Sequence, residues 1–322
     1  MDILIPDSEQ KKILHKNIQA NQINNVNIDR AINKVNNQYD LILIEHKWNE
    51  NPTSLYNKIS NVWDMVGING KVLIISHKKQ GANTLLSFLI EKGLISRIAG
   101  KGRGGVRLLE VFKENVDKIE SIETLKSIQF SFDDKIYSVF VDNTVFSKEK
   151  LDSGTEFLLN VFFKTKIDLN GKKIGDFGSG WGAISLILIN AFPKAEILAI
   201  EKDAVSFLLS EKNLSSYSQI EILQADLTNK SLLTPSHIES LDYIICNPPF
   251  HITEDQVNVF ILNVKKFLKS NGEIFYVVEK TFANKFRKIS ENLLTTINTS
   301  KNDHFFVFRY RKDFQGNCKS FK

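Results

Sequence analysis

Sulfur is scarce in this chain, and long apolar runs are absent. Of 322 residues only two are cysteine, Cys246 and Cys318, and they share no short ligand spacing. That excludes the usual zinc patterns and leaves two plain thiols suited to a reducing compartment. No stretch approaches the roughly 18 uncharged apolar residues that would span a membrane. The opening Met1-Asp2-Ile3-Leu4-Ile5-Pro6 lacks the basic start and long apolar core of a signal peptide. The expectation is a cytoplasmic protein with no membrane segment and no metal. Prolines number six, yet two of them are adjacent, Pro248 and Pro249.

A hydrophobic fraction of 42% with 25% charged residues describes a globular chain, and its length suits two domains. The net charge of +5 permits nucleic acid as a partner without requiring it. Distribution says more than the total. Lys92, Arg97, Lys101, Arg103 and Arg107 follow Glu91 with no acid between them, among Gly100, Gly102, Gly104 and Gly105. A second basic set comes late: Lys280, Lys285, Arg287, Lys288, Arg309, Arg311 and Lys312. Solvated faces often look like this, so both sets are candidates for RNA contact on charge alone.

The two halves repeat. Tyr39-Asp40-Leu41-Ile42-Leu43-Ile44 parallels Leu241-Asp242-Tyr243-Ile244-Ile245-Cys246, and Gly70-Lys71-Val72-Leu73 parallels Gly272-Glu273-Ile274-Phe275, both at a shift of 202. At the same shift, Val106 to Val111 falls opposite Phe308 and its neighbours. In each half a strand, a helix-patterned segment (Leu55 to Val66; Val257 to Leu268), a glycine turn and a second strand make a βαβ unit. Residues 1–126 read as a short, non-catalytic first domain whose end, Lys113 to Lys126, looks like a charged helical connector. Residues 127–322 read as the second, catalytic domain. It opens on a hairpin around Asp133-Asp134, followed by a helix capped at Asp152 or Ser153.

Chemistry concentrates in the second half. In Asp176-Phe177-Gly178-Ser179-Gly180-Trp181-Gly182-Ala183 the glycines let backbone approach a ligand closely. The same spacing fits the dinucleotide fingerprint, so this loop alone leaves both nicotinamide and other nucleoside ligands open. Glu201 ends the next strand, where an acid can accept from ribose hydroxyls, and Asp226 follows the third, where an acid can accept from an adenine amine, although an exposed loop Asp is the commoner fate of such a residue. The fourth strand ends in Asn247-Pro248-Pro249-Phe250-His251. An Asn before Pro is held extended, so its side chain and the Asn247 and Pro248 carbonyls can converge on a planar amine. Phe250 offers a ring to stack on, and His251 a contact to phosphate or base. Asn-Pro is also an ordinary turn former.

Glycine loop, ribose acid, adenine acid and Asn-Pro-Pro-Phe in this order resemble the class I S-adenosylmethionine-dependent methyltransferases of exocyclic amines. With the Phe146-Ser147 and Leu151-Asp152-Ser153-Gly154 prelude and the degenerate first half, the chain is similar to the ribosomal RNA guanine-N2 methyltransferases of the RsmC and RlmG type. Trp181 departs from that pattern, in which smaller residues are common, and the first half is short.

The resemblance implies an α/β, Rossmann-like fold with a mostly parallel sheet, preceded by a truncated copy of itself. It implies S-adenosylmethionine as cofactor and ribosomal RNA or a ribosomal subunit as partner. Gly178 and Gly180 would lie against the methionine portion, Asp176 near its amino group, Glu201 on the ribose and Asp226 on the adenine, with Asp152 and Thr155 closing the cofactor site. Asn247, Pro248 and Phe250 would carry catalysis, and Phe250, His251, Arg103 and Arg107 would contact RNA. Three other readings remain. A protein glutamine-N5 methyltransferase would more usually show Asn-Pro-Pro-Tyr after a helical first domain. A nicotinamide oxidoreductase leaves the proline turn unexplained. A non-catalytic RNA-binding protein would show a broken motif.

Overall fold

The computed structural model describes residues 2–4, 27–29, 38–46, 51–115, 117–142, 150–229, 237–249 and 252–312. Two compact units divide the chain, Met1–Thr124 and Leu125–Lys322.

In the first unit, β1 (Asp2–Leu4) pairs in parallel with β2 (Asn27–Asp29). A four-stranded sheet then forms from β3 (Tyr39–Glu45), β4 (Val66–His77), β5 (Ile95–Lys101) and β6 (Val106–Phe112), in the order β3-β4-β6-β5. Helix α1 (Pro52–Trp63) has Pro at its start, where a missing N–H costs nothing, and Asn51 as its cap. With α2 (Ala82–Glu91) it buries Leu55, Ile59, Leu85 and Leu89 against Val72, Ile74, Leu109 and Val111.

The expected helical connector is not a helix. Residues after Phe112 run irregularly, because side-chain donors of α1 hold their carbonyls: Asn57 to Ile122, Ser60 to Ile119 and Trp63 to Asp117. Backbone bonds that a helix would use are therefore spent on the neighbouring element.

The second unit opens on the hairpin β7 (Leu125–Phe132) and β8 (Lys135–Asp142). Lys126 thus belongs to this unit rather than to the connector. Positive φ at both Asp133 and Asp134 gives the two-residue turn that matches strand twist. Helix α3 (Ser153–Lys164), capped by Asp152, precedes the main sheet. That sheet contains β9 (Lys173–Phe177), β10 (Glu196–Glu201), β11 (Ile220–Gln224), β12 (Leu241–Cys246), β13 (Leu268–Glu279), β14 (Thr295–Lys301) and β15 (Phe305–Arg311). Helices α4 (Ala183–Ala191), α5 (Ala204–Leu214), α6 (Glu254–Phe267) and α7 (Lys280–Glu291) connect its strands. The order is β11-β10-β9-β12-β13-β15-β14, five parallel strands followed by an antiparallel β15. This is the Rossmann-like class I methyltransferase sheet. The strand order reverses between β9 and β12, two parallel neighbours, and ligands bind at the carboxyl edge of such a switch point.

The first unit reproduces the last four strands of this sheet, with β3-β4-β6-β5 matching β12-β13-β15-β14. The parallel pairs even share a register break, at Tyr39/Leu41 and at Leu241/Tyr243. Asn69 and Asn271 adopt the same left-handed turn, φ 63 and 64. Each donates its N–H to a lysine carbonyl, Lys113 and Lys312. Both lysines are buried, and their ammonium groups reach main-chain carbonyls, Trp63 and Val66 in one case and Leu268 in the other.

The last strands do not keep the shift of 202. Val106 pairs with His77 and Phe305 with Glu279, so Val106 corresponds to Phe305 rather than to Phe308. The difference arises mainly before the helix, where residues 78–81 separate β4 from its helix in the first unit while Lys280 follows Glu279 directly in the second.

Candidate active site

At the carboxyl edge of β9, Asp176 is fully buried and its Oδ2 accepts from the Ser185 N–H and hydroxyl at 3.0 and 2.7 Å. Among the described residues its Oδ1 has no partner. Burial pushes this carboxyl up to about 7, opposed by the Ser185 hydrogen bonds and reinforced slightly by the charge of Glu201. An unpaired buried oxygen costs on the order of 1–3 kcal/mol, which an ammonium donor would recover.

The glycine loop follows. Gly178 has φ +80, and a Cβ there would meet the Asn247 carbonyl at 3.4 Å, so loop and turn lie against each other. Gly180 has φ +58, and a Cβ there would meet nothing within 4 Å. Open space thus lies above backbone that only glycine adopts without strain.

Trp181 turns away from this edge. Its ring is buried against Phe130 of β7, centroids 5.4 Å apart, and its carbonyl accepts from Asn213, which also bonds both backbone groups of Phe140. The bulky residue therefore anchors the hairpin and leaves the loop's ligand side clear.

Glu201 receives the Gly180 N–H on Oε2 at 2.8 Å, and the Lys202 and Asp203 N–H groups on Oε1 at 2.7 and 2.8 Å. Burial raises its carboxyl while these bonds oppose the shift. Since a carboxylate offers about four acceptor sites, Oε2 retains one for a hydroxyl. Asp226 is more occupied, with Thr228 on Oδ1 and Lys202 on Oδ2 at 2.6 Å. The Lys202 partner was not anticipated from sequence.

Asn247 stands at the end of β12. Its Nδ2 donates to Asp152 Oδ2 at 2.9 Å and to Thr155 Oγ1 at 3.0 Å. Asp152 accepts the Thr155 N–H on the same oxygen as it caps α3. A carboxylate only accepts, so the amide nitrogen must face it and the amide oxygen must face away. Asp152 and Thr155, expected to close the cofactor site, are thus bonded to Asn247. Pro248 is buried and Pro249 exposed. Phe250 and His251 lie outside the described residues, as do Phe146 and Ser147.

Methyltransferase small domain is the family that matches residues 137–309, just over half of the chain. The chain belongs to this family. Curated relatives include the ribosomal RNA large subunit methyltransferase G of Yersinia pestis, 26% identical over 179 residues. That alignment covers 54% of this chain and 44% of the relative; the Yersinia enterocolitica protein of the same name is also 26% identical, with 43% of it covered. The match therefore spans less than half the length of these curated relatives. Among solved structures, the T. thermophilus 16S rRNA N2 methyltransferase RsmC, determined with AdoMet and guanosine, superposes with a TM-score of 0.75. It shares 20% identity and covers 92% of this chain and 79% of its own.

S-adenosylmethionine is the cofactor of this methyltransferase family, and the edge suits it. The orphaned Asp176 oxygen suits an ammonium, the space at Gly180 suits the methionine chain, and the remaining acceptor of Glu201 suits a ribose hydroxyl. Arg103 and Arg107 belong to the first unit, Arg103 exposed before β6 and Arg107 half-buried on it. In the late basic set, Lys312 is buried and Arg309 is paired with Glu273, so these two are structural first. Among the described residues no cluster of metal-binding side chains occurs, and no helix is long and apolar enough to cross a membrane.

Proposed function

We propose that this chain transfers a methyl group from S-adenosylmethionine to the exocyclic N2 amine of a guanine in ribosomal RNA. One observation carries the reading: both N–H groups of the Asn247 amide are held by Asp152 and Thr155, which frees its oxygen for an outside donor. A nucleobase amine is such a donor. Its lone pair is delocalised into the ring, which makes it a poor nucleophile. When the Asn247 oxygen and the Pro248 carbonyl accept its two hydrogens, the amine is fixed and its lone pair turned toward the methyl donor. S-adenosylmethionine supplies the electrophilic methyl on a sulfonium. The residues contribute orientation, for which several kcal/mol is a reasonable magnitude.

No strong base is needed before transfer, because the methylated amine is a cation that loses its proton readily. Phe250 follows Pro249 directly, and its ring is assigned to stack on the target base, worth about 1–3 kcal/mol. The names of the relatives support RNA of the ribosome as substrate, and with it a cytoplasmic site of action. The first unit supplies no second catalytic turn, since Glu45 and His46 stand where Asn247 and Pro248 do, with His46 Nδ1 bonded to Ser76 Oγ at 2.8 Å.

The test is methyl transfer from labelled S-adenosylmethionine to ribosomal RNA and subunits from a strain lacking the protein, followed by nucleoside analysis. Label in N2-methylguanosine that vanishes with Asn247→Ala supports the reading. Label in another nucleoside replaces the substrate, and label only in protein overturns RNA as the target.

A further inference from the structure

A cavity of about 430 Å³ opens on the second unit between α3 and the outer strands β14 and β15. We propose that it holds the sugar-phosphate of the RNA strand flanking the target nucleotide. This inference rests on the RNA reading above and locates where that RNA runs.

The helix contributes Phe157, Val161 and Lys164, spaced on one face, and β14 contributes Asn298, Ser300 and Lys301. Phe275 and Val307 form an apolar floor, with the Arg309 guanidinium 5.1 Å from the Phe275 ring centroid. Among the described residues no acidic side chain lines the cavity. Lys164 and Lys301 are both exposed at its rim, and no hydrogen bond or ion pair among the described residues engages either ammonium. Two uncommitted cations over hydroxyl, amide and aromatic groups suit a phosphate with its ribose. The volume lies within the range of small-ligand sites.

Position favours RNA over a free anion. Thr155, which holds Asn247, precedes Phe157 by two residues on α3, so the cavity begins about 3 Å further along the helix axis than that anchor and on the opposite flank of the helix. From Phe157 to Lys164 it follows the helix for roughly 10 Å. A strand presenting its base to Asn247 reaches this groove by passing around the start of α3. The first unit lacks the arrangement: Glu110 stands where Arg309 does, bound by Lys71 and Arg97. The cationic groove is thus a property of the half that carries the Asn-Pro-Pro turn.

The experiment compares the full chain with its K164Q/K301Q variant. Binding of fluorescein-labelled single-stranded RNA of mixed sequence is followed by anisotropy as salt rises, alongside methyl transfer to the ribosomal RNA described above. S-adenosylmethionine affinity reports that the variant is folded and should not change. The expected result is RNA affinity about tenfold weaker at low salt, with a log–log salt dependence shallower by about 1.4, or roughly 0.7 for each lysine. Transfer to RNA should then show a raised KM and an unchanged kcat. A variant with wild-type salt dependence and KM, beside a wild-type chain that does methylate RNA, overturns the groove and leaves the proposed function standing. A wild-type chain that binds S-adenosylmethionine but methylates no RNA overturns both.

Discussion

Asn247 and Asp152, 95 residues apart in sequence, meet at 2.9 Å through the amide nitrogen of one and a carboxylate oxygen of the other. This contact fixes which end of the amide faces Asp152 and leaves the oxygen pointing away, because Asp152 cannot donate. Asp152 also caps α3, so one side chain joins a helix start to the Asn-Pro-Pro turn.

Replacing Asp152 with Asn separates the two roles. Asn is as good a helix cap as Asp, so thermal stability should change by less than about 1 kcal/mol. The new amide can donate as well as accept, and Asn247 loses its imposed orientation. A charged hydrogen bond of this kind is worth about 1.5–3 kcal/mol, so kcat should fall on the order of tenfold to a hundredfold with cofactor affinity kept. An unchanged kcat would remove Asp152 from the account.

With Asp176 as the ammonium partner, cofactor binding is expected to depend on pH. Its carboxyl is pushed up to about 7 in the free chain, against an ordinary value of 3.8. The neutral form is therefore the one the fold prefers, and its contribution to stability is present below the unfolded value and lost as pH rises through about 7. The shift corresponds to an upper bound on the order of 4 kcal/mol. An ammonium ligand needs the ionised form. S-adenosylmethionine affinity should accordingly rise as pH increases toward 7, by up to about tenfold per unit, with proton release visible as a buffer-dependent heat in calorimetry. Asp176→Asn should bind more weakly, flatten this profile and make free-chain stability less sensitive to pH over the same interval. A wild-type affinity that is flat between about pH 5.5 and 7 would exclude Asp176 as the ammonium partner.

What was readable in the sequence shares one property: it is dictated by backbone. Gly178, Gly180 and the Pro248-Pro249 pair restrict main-chain geometry wherever they occur, so the turns and the carboxyl edge follow from local order. The Asp133-Asp134 hairpin and the Asp152 cap belong to the same class. Side-chain partnerships across the fold were not readable. Nothing near Asp152 announces Asn247, and nothing near Asp226 marks Lys202 as its ion-pair partner. The charged stretch after Phe112 has helix-like composition, but Asn57, Ser60 and Trp63 claim its carbonyls from a distance. Trp181 stands where smaller residues are common, and only the fold shows that its ring packs on Phe130.

Gly180→Ala tests the open side of the loop. With φ +58, an alanine there costs roughly 1–2 kcal/mol in backbone strain, although its Cβ meets no protein atom. The methyl instead occupies space assigned to the methionine chain. Cofactor affinity should fall tenfold or more, while thermal denaturation shows only the modest backbone cost. Equal affinity in the alanine variant would place the methionine portion elsewhere.

The paired lysines offer a test of the duplicated architecture itself. Lys113 donates to Trp63 and Val66 carbonyls at 2.7 and 2.9 Å, and Lys312 to the Leu268 carbonyl at 2.7 Å and to Glu239 at 2.9 Å. In each case the side chain closes the loop in which Asn69 or Asn271 turns with positive φ. Methionine preserves the length of the chain and removes the donors, leaving buried carbonyls unsatisfied at about 1–3 kcal/mol. Because the two lysines serve separate units, Lys113→Met should increase amide hydrogen exchange around Val66–Gly70 and leave Leu268–Gly272 protected. Lys312→Met should do the reverse and also lower methyl transfer, since β13 neighbours the strand that carries Asn247. If either substitution loosened neither loop, the buried ammonium groups would be passengers in both halves, and the shared turn geometry would rest on Asn69 and Asn271 alone.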